Sequence, residues 1–163
     1  MAIHADQLLV PSVLDRLLDD DPTVSREAMR SRSQILREMK LSVHRDLENL
    51  LNTRRRCLPV PADLKELGKS LVSYGIPDVS GANLGASEAR ERLVRSLETI
   101  LRAFEPRFHT VRVQLVDNVD QIDRTLRFRI DALLHADPAP EPIVFDSALE
   151  PGTGAFRIKG VGG

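Results

Sequence analysis

Two glutamates, Glu98 and Glu105, have the spacing in this sequence that comes nearest to catalytic chemistry. Glycoside hydrolysis uses two carboxyl groups about 5 to 10 Å apart, one of them kept protonated by an apolar environment. Glu98 and Glu105 are seven residues apart, so on one helix their side chains would lie about two turns apart on the same side. A chain with 24 acidic residues contains such pairs by chance, and its few aromatic residues argue against a sugar-binding cleft. We therefore expect no enzyme activity and keep a peptidoglycan-cutting enzyme as an alternative.

The remaining chemically capable side chains form no known catalytic or metal-binding pattern. The sequence has one cysteine, Cys57, and four scattered histidines without metal-ligand spacing, which are His4, His44, His109 and His135. The run Gly152-Thr153-Gly154 is too short for a phosphate-binding loop and lacks its lysine, so it predicts a hairpin turn. We expect no catalytic residue, no cofactor and no metal.

A tripeptide in the middle of the chain, Glu105-Pro106-Arg107, places an acid and a base on either side of a proline. Proline ends a helix and fixes the direction of the chain that follows it. The two charges then either pair with each other locally or are presented together to a partner. The residues alone leave both interpretations open.

Composition indicates one globular domain and excludes several classes of function. The chain has 163 residues, of which 42% are hydrophobic, and a net charge of −1, which excludes a bulk polyanion binder of the histone kind. Only four of its 23 basic residues are lysines, and an excess of arginine favours protein interfaces. A single cysteine allows no internal disulfide, and we find no signal peptide or membrane-spanning run. We expect a cytoplasmic protein without direct membrane insertion.

The first third of the chain predicts a short helix followed by a long one. Apolar residues at helical spacing over 8–18, with Ser12 as N-cap, indicate a short helix that docks on its own domain or on a partner. A second stripe indicates a helix over 34–56, with apolar positions Leu36, Met39, Val43, Leu47, Leu50 and Leu51. The three arginines at 54–56 either cap this helix or contact an acidic partner. We therefore divide the chain into an N-terminal segment, 1–33, and a single domain, 34–163.

A further helix is predicted to begin at Ser87, the expected N-cap, and to end before Pro106. Its apolar face is broad enough to pack on a sheet, because it combines Leu93, Val94, Leu97, Ile100, Leu101 and Phe104.

After Pro106 the apolar period changes to two, which is typical of strands. Alternation over 111–115 and 126–130 predicts an antiparallel hairpin with one buried face, and short strands are expected at 143–145 and 156–159. The exposed face of the hairpin would display Arg112, Arg127 and Arg129. These arginines make a nucleic-acid-binding domain a second alternative, although the near-zero net charge and the small number of aromatic residues count against it. The fold class is α+β, with two main helices packed on a small antiparallel sheet.

Five short motifs occur in order from about residue 8 to 158, and their order and spacing are more specific than any one of them. They are Ser12-Val13-Leu14-Asp15-Arg16-Leu17, the Leu-Leu-Asn-Thr-Arg-Arg end of 47–55, Tyr74-Gly75-Ile76-Pro77-Asp78, Phe104-Glu105-Pro106-Arg107, and the Val-Phe-Asp-Ser run within 142–149. Together they resemble the TssE family of baseplate proteins in bacterial type VI secretion systems. That family is similar to the wedge protein of contractile phage baseplates, which carries the label "lysozyme-like".

The resemblance implies a structural subunit of the ring on which a contractile sheath begins to polymerise. Its partners would be the wedge proteins TssF and TssG, the adaptor TssK and the sheath proteins TssB and TssC, in a cytoplasmic complex docked at the inner membrane. In this family the Glu-Pro-Arg motif is associated with assembly, which implies partner binding by Glu105, Pro106 and Arg107. Sheath subunits add strands to one another's sheets. We therefore expect residues 143–159 to present an open strand edge.

Overall fold

The computed structural model describes residues 13–18, 23, 31–56, 61, 63–64, 66–79, 84–118, 125–136 and 139–162. It contains three α-helices and four strands in chain order: α1 (Val13–Leu17), α2 (Arg32–Asn52), α3 (Ser87–Phe104), β1 (Phe108–Val116), β2 (Leu126–Leu134), β3 (Glu141–Glu150) and β4 (Ala155–Gly162). Two short 3₁₀ turns, Leu67–Lys69 and Leu71–Ser73, lie between α2 and α3. The predicted α+β class, with two main helices on a small antiparallel sheet, is confirmed. The division into 1–33 and 34–163 stays a prediction.

The long helix α2 begins earlier and ends earlier than its apolar stripe predicts. Ser31 and Gln34 form a capping box: the Ser31 hydroxyl accepts from the Gln34 N–H, and the Gln34 side chain accepts from the Ser31 N–H. At the other end Thr53 is extended, so the helix stops at Asn52 and the arginines at 54–56 lie beyond it. Arg54 nevertheless donates to the Leu51 carbonyl oxygen (3.3 Å), which confirms the capping role for that residue. The predicted helix 8–18 is described only from Val13, so the proposed cap Ser12 lies outside the described residues.

The helix α3 has the predicted end but a different start. Ser87 is the first helical residue, and the N-cap is Ala86, whose side chain forms no capping hydrogen bond. The prediction of Ser87 as N-cap is therefore wrong, because the chain is already helical at that residue and the extended backbone lies one residue earlier. The helix ends where the Glu105 N–H donates to the Leu101 carbonyl oxygen (2.9 Å), directly before Pro106.

The four strands form an antiparallel sheet in the order β1-β2-β3-β4. The hairpin of β1 and β2 is confirmed, as is the turn at Gly152-Thr153-Gly154, where Gly154 has a φ of 67°. The strands β3 and β4 are longer than predicted. Polar residues hide the alternation in β3, since Ser147 is buried and donates to the Phe128 carbonyl oxygen (3.3 Å).

Both long helices pack on one face of the sheet, with α3 beside β1 and α2 beside β4. That face carries the buried strand residues, which include Val113, Phe128, Ile130, Ile143, Phe145, Leu149, Phe156 and Ile158. The opposite face is not part of this core. Arg112, Arg127 and Arg129 are exposed there, as predicted.

Helix side chains bond the outward edges of both outer strands. On β1, the Val113 N–H donates to Oε1 of Glu98 (2.9 Å), and Nη2 of Arg102 donates to the Val111 carbonyl oxygen (3.2 Å). On β4, Asn52 both donates to and accepts from the Phe156 main chain (2.9 Å each).

The span 143–159, in which an open strand edge was expected, includes the first part of the outer strand β4. Most of that span belongs to β3, which pairs with strands on both sides. The rest belongs to β4, whose Phe156 is bonded to Asn52 and whose Ile158 carbonyl oxygen accepts from Nε2 of His44 (3.2 Å). An incoming strand would have to displace these α2 side chains before it could pair there.

Candidate functional site

The predicted site, Glu105-Pro106-Arg107, is the turn that connects α3 to β1, and we call these three residues the corner. The Phe108 N–H donates to the Glu105 carbonyl oxygen (3.2 Å), and the His135 N–H donates to the Arg107 carbonyl oxygen (2.8 Å). The first bond closes the turn and the second anchors it to the end of β2. The corner is thus held by main-chain bonds on both sides of the exposed Pro106.

All three nitrogen atoms of the Arg107 guanidinium group donate hydrogen bonds. Its Nε and Nη2 donate to the two carboxylate oxygens of Glu105 (2.7 and 2.6 Å), in a bidentate pair. Nη2 also donates to Oδ2 of Asp46 (2.6 Å), and Nη1 donates to the hydroxyl of Ser42 (3.0 Å). Both of these partners lie on α2, so Arg107 joins the corner to the long helix.

This pair is much less accessible to water than a surface ion pair. The Glu105 side chain is only 4% exposed and that of Arg107 is 21% exposed. Burial alone acts to lower the pKa of Arg107, but the hydrogen bond and negative charge of Glu105, with those of Asp46, outweigh it and raise that pKa. Arg107 therefore stays charged, and it compensates a carboxylate that has almost no contact with water.

A second arginine extends the bonded group to the N-terminal helix. Asp15 of α1 accepts hydrogen bonds from the Ser42 hydroxyl (2.9 and 2.8 Å) and from Nη2 of Arg45 (2.9 Å). The hydrogen bond to Asp15 is the main reason why the pKa of Arg45 is raised. We call the bonded set the corner network, and it consists of Asp15, Ser42, Arg45, Asp46, Glu105 and Arg107.

Tyr74 lies near the corner network, and the negative charges of that network act on its phenol. Burial is the main cause that raises the pKa of its phenol, and the negative charges of Asp46 and Glu105 raise it further. Its ring packs edge-on against Phe104, with ring centroids 5.4 Å apart.

The sequence identified the corner but missed the α2 residues that complete the network. Ser42 and Asp46 stand four residues apart, on one side of a helix, beside the buried Val43 and Leu47. Polar residues at helical spacing next to an apolar stripe were the available signal. Their link to Arg107, across 65 and 61 residues, leaves no local trace in the sequence.

The structure gives each glutamate of the candidate catalytic pair a separate internal partner. Glu98 accepts from the Val113 N–H, and its other oxygen lies 3.6 Å from Nη2 of Arg102. Glu105 is bonded by Arg107. Both carboxylates are engaged in holding the fold, so their geometry does not support a glycosidase.

Two of the three exposed arginines of the sheet, Arg127 and Arg129, are partnered as well. Nε of Arg129 lies 3.2 Å from Oδ1 of Asp146, Nε of Arg127 donates to Oδ1 of Asn118 (3.2 Å), and Arg112 stands opposite Asp131. The phenylalanines of the strands, Phe108, Phe128, Phe145 and Phe156, are all buried, so they cannot stack with bases. The described residues of this face do not favour nucleic-acid binding over a protein contact.

The described residues form neither a cluster of metal ligands nor a membrane-spanning helix. Within them, no three or more histidine, cysteine, aspartate or glutamate side chains are grouped to hold a metal ion. None of the helices that the structure describes is long and apolar enough to cross a membrane.

Comparison with protein families identifies the group to which this geometry belongs. Residues 37–139 match the model of the family described as "Baseplate wedge protein gp25". The chain belongs to the gp25 family of baseplate wedge proteins. The matched residues include the corner, most of α2, all of α3, and the β1–β2 hairpin. The resemblance to contractile baseplate wedge proteins is thereby confirmed.

Other comparisons add little to the family match. No curated protein is similar enough to be matched. A chain in the solved structure of the baseplate complex from the type VI secretion system is similar to this one, with 19% identity and a TM-score of 0.48. The similarity covers 70% of this chain and 96% of that chain. The baseplate role of the gp25 family protein rests on the family match.

Proposed function

We propose that this gp25 family protein is the TssE subunit of a type VI secretion baseplate. Membership of the wedge family over 37–139 is the observation that carries the structural role. The ordered motifs outside that span, in α1 and β3, support assignment to the type VI branch. In this role the protein joins TssF and TssG in the wedge, near TssK, within a cytoplasmic complex docked at the inner membrane. It works by binding other proteins and has no enzymatic step.

The corner is proposed to form part of the surface that binds a neighbouring wedge subunit. Pro106 is exposed and about a fifth of the Arg107 side chain, 21%, remains accessible. The buried Glu105 cannot contact a partner directly, but it holds Arg107 in one orientation. A guanidinium group that is already held in one orientation before binding loses less side-chain entropy on binding than a mobile one.

Sheath polymerisation by TssB and TssC is proposed to begin on β4. This outer strand is covered by single side chains of α2, Asn52 and His44, and not by another strand. Side chains can turn away more readily than a paired strand can dissociate, so pairing with β4 requires only a local change. We expect an arriving sheath strand to replace the hydrogen bonds that Asn52 makes to Phe156.

A pull-down of the tagged full-length protein from its native host, with bound proteins identified by mass spectrometry, tests the proposed function. We expect TssF, TssG and sheath subunits to be recovered with the wild-type protein. Recovery of no tail-like protein, together with loss of turbidity when the purified protein is added to cell walls, would contradict the proposal. Glu98→Gln and Glu105→Gln variants would then show whether these carboxylates are responsible.

A further inference from the structure

The short helix α1 exposes its apolar residues, whereas its Asp15 is partly buried. Val13 is 72% exposed, Leu14 56%, Leu17 75% and Leu18 52%. These four positions cover about 140° of the helix circumference, which makes one continuous apolar stripe. No residue of α1 belongs to the hydrophobic core that the described residues form. The stripe therefore faces away from the domain that carries it.

The opposite side of α1 is bonded to the domain through one carboxylate. Asp15 is bonded by Ser42 and Arg45, and its side chain is only 18% exposed. Ser42 is also bonded by Arg107, so the attachment of α1 continues directly into the corner. This arrangement fixes which side of the helix faces outward. An apolar stripe kept facing water by a partly buried ionic anchor is typical of a binding surface.

The sequence that follows the stripe indicates the kind of partner that covers it. Three consecutive aspartates, Asp19, Asp20 and Asp21, follow Leu18 directly in the sequence. An apolar stripe that ends in three negative charges is complementary to an apolar groove with a basic rim.

We propose that α1 is a docking helix that inserts Leu14 and Leu17 into an apolar groove, rimmed by arginine or lysine, on another baseplate subunit. This inference rests on the proposed function, because it supplies one of the contacts by which the protein joins the wedge. Arg107 is then a positioning residue for α1 as well as part of the corner surface. It acts through Ser42, which it shares with Asp15.

The test is the affinity of the full-length protein for a purified complex of TssF and TssG from the same host. The double variant Leu14→Asp/Leu17→Asp should weaken binding at least tenfold, because it places charge on the stripe. Its urea midpoint should match that of the wild type, since both leucines are exposed. The matched control is Leu71→Asp, at a leucine that is 86% exposed in a 3₁₀ turn. This control should bind within twofold of the wild type.

Two further variants test the anchor and the charge. Asp15→Asn should weaken binding, because it loosens the orientation of α1, and should lower the urea midpoint only modestly, because the bonds that it weakens lie outside the hydrophobic core. Replacing Asp19, Asp20 and Asp21 by asparagine should weaken binding at low salt and reduce its salt dependence. Unchanged salt dependence would overturn the basic rim.

The outcomes separate this inference from the function on which it rests. Wild-type binding that the Leu14→Asp/Leu17→Asp variant retains would overturn the docking role of α1 and leave the wedge assignment intact. Absence of wild-type binding to TssF and TssG would overturn the proposed function and the docking helix together.

Discussion

At the scale of a single residue, the loss of the Arg107 side chain should strongly lower the free energy of unfolding. Replacing it with alanine leaves Glu105, 4% exposed, as a buried carboxylate without its bidentate partner. Breaking a buried pair costs about 3–5 kcal/mol, and the partial exposure of Arg107 places the expected loss near the lower end. Urea unfolding of Arg107→Ala measures the change in the free energy of unfolding.

The control for this variant is an arginine of the same chemistry in an exposed pair. Nη1 of Arg92 lies 3.9 Å from Oε2 of Glu88, and both side chains are more than two-thirds exposed, at 68% and 88%. We expect Arg92→Ala to change the free energy of unfolding by less than about 1 kcal/mol. Equal effects of the two substitutions would show that Arg107 is not a buried anchor.

The phenol of Tyr74 offers a direct reading of the charge in the corner network. It is the only tyrosine of the chain, so phenolate absorbance in the near ultraviolet reports on its ionisation alone. We expect its titration midpoint above the usual value of 10.0, and Asp46→Asn should bring the midpoint down. Circular dichroism recorded through the same titration shows whether the protein stays folded.

The sign of the linked stability follows from the direction of that shift. A phenol whose pKa is higher in the folded state than in the unfolded state favours folding fully below pH about 10, the unfolded pKa, and loses that contribution as pH rises through the folded pKa. Tyr74→Phe should therefore flatten the fall in stability above about pH 10. A midpoint at or below that of free tyrosine would contradict the shift.

The residues of the corner show how far sequence reasoning reaches at this scale. Proline between opposite charges is a local pattern, so Glu105, Pro106 and Arg107 could be selected without a structure. Besides Glu105, Arg107 bonds Ser42 and Asp46 on α2, and Ser42 in turn bonds Asp15 on α1. Only the packing of the helices brings them to the corner.

At the scale of elements, one side chain of α2 bonds both main-chain groups of Phe156 at the edge of β4. Asn52 forms two hydrogen bonds of 2.9 Å to the main chain of Phe156, in the geometry that a neighbouring strand would use. Asn52→Ala should lower the free energy of unfolding by about 1–3 kcal/mol, because both main-chain groups lose a partner. It should also increase self-association, since the freed edge can pair with another chain.

The matched control for that variant is Asn49→Ala, at an exposed asparagine of the same helix. We expect no change in self-association for the control, measured by light scattering at equal protein concentration. Scattering by Asn52→Ala at the level of Asn49→Ala would show that the side chain does not protect the edge.

Sequence periodicity predicted helices and strands with unequal success, for physical reasons. The β1–β2 hairpin has one apolar and one charged side, so its period of two is plain. The strand β3 lies between two others and includes Pro142, Asp146 and Ser147, which lengthen it beyond its apolar centre. The N-cap of α3 lies one residue before the predicted position. Serine is a preferred N-cap residue and alanine is not, so the sequence favoured Ser87 over Ala86.

At the scale of the whole molecule, β3 and β4 are part of the core even though the family match ends at residue 139. β3 contributes Ile143, Phe145 and Leu149 to the buried cluster, and β4 contributes Phe156. A chain truncated after Pro140 exposes the edge of β2 and loses these side chains. We expect this truncation to abolish cooperative unfolding in urea, whereas removal of the final residue, Gly163, should not.

A truncated chain that unfolds with the wild-type midpoint would show that the first two strands and the helices suffice.

The α+β class and the packing of two helices on one face were within reach of sequence reasoning, because amphipathic stripes require it. The order of strands and the bonding of their edges were not, since several registers bury the same apolar residues.

The bond between Asn52 and Phe156 joins residues 104 positions apart in the chain. At a synthesis rate of about 5–20 residues per second, α2 is made about 5 to 20 s before the strand that it covers. During that interval its apolar face has no β4 to pack against. Helix α2 is therefore synthesised with an apolar face that the strand β4 covers only later.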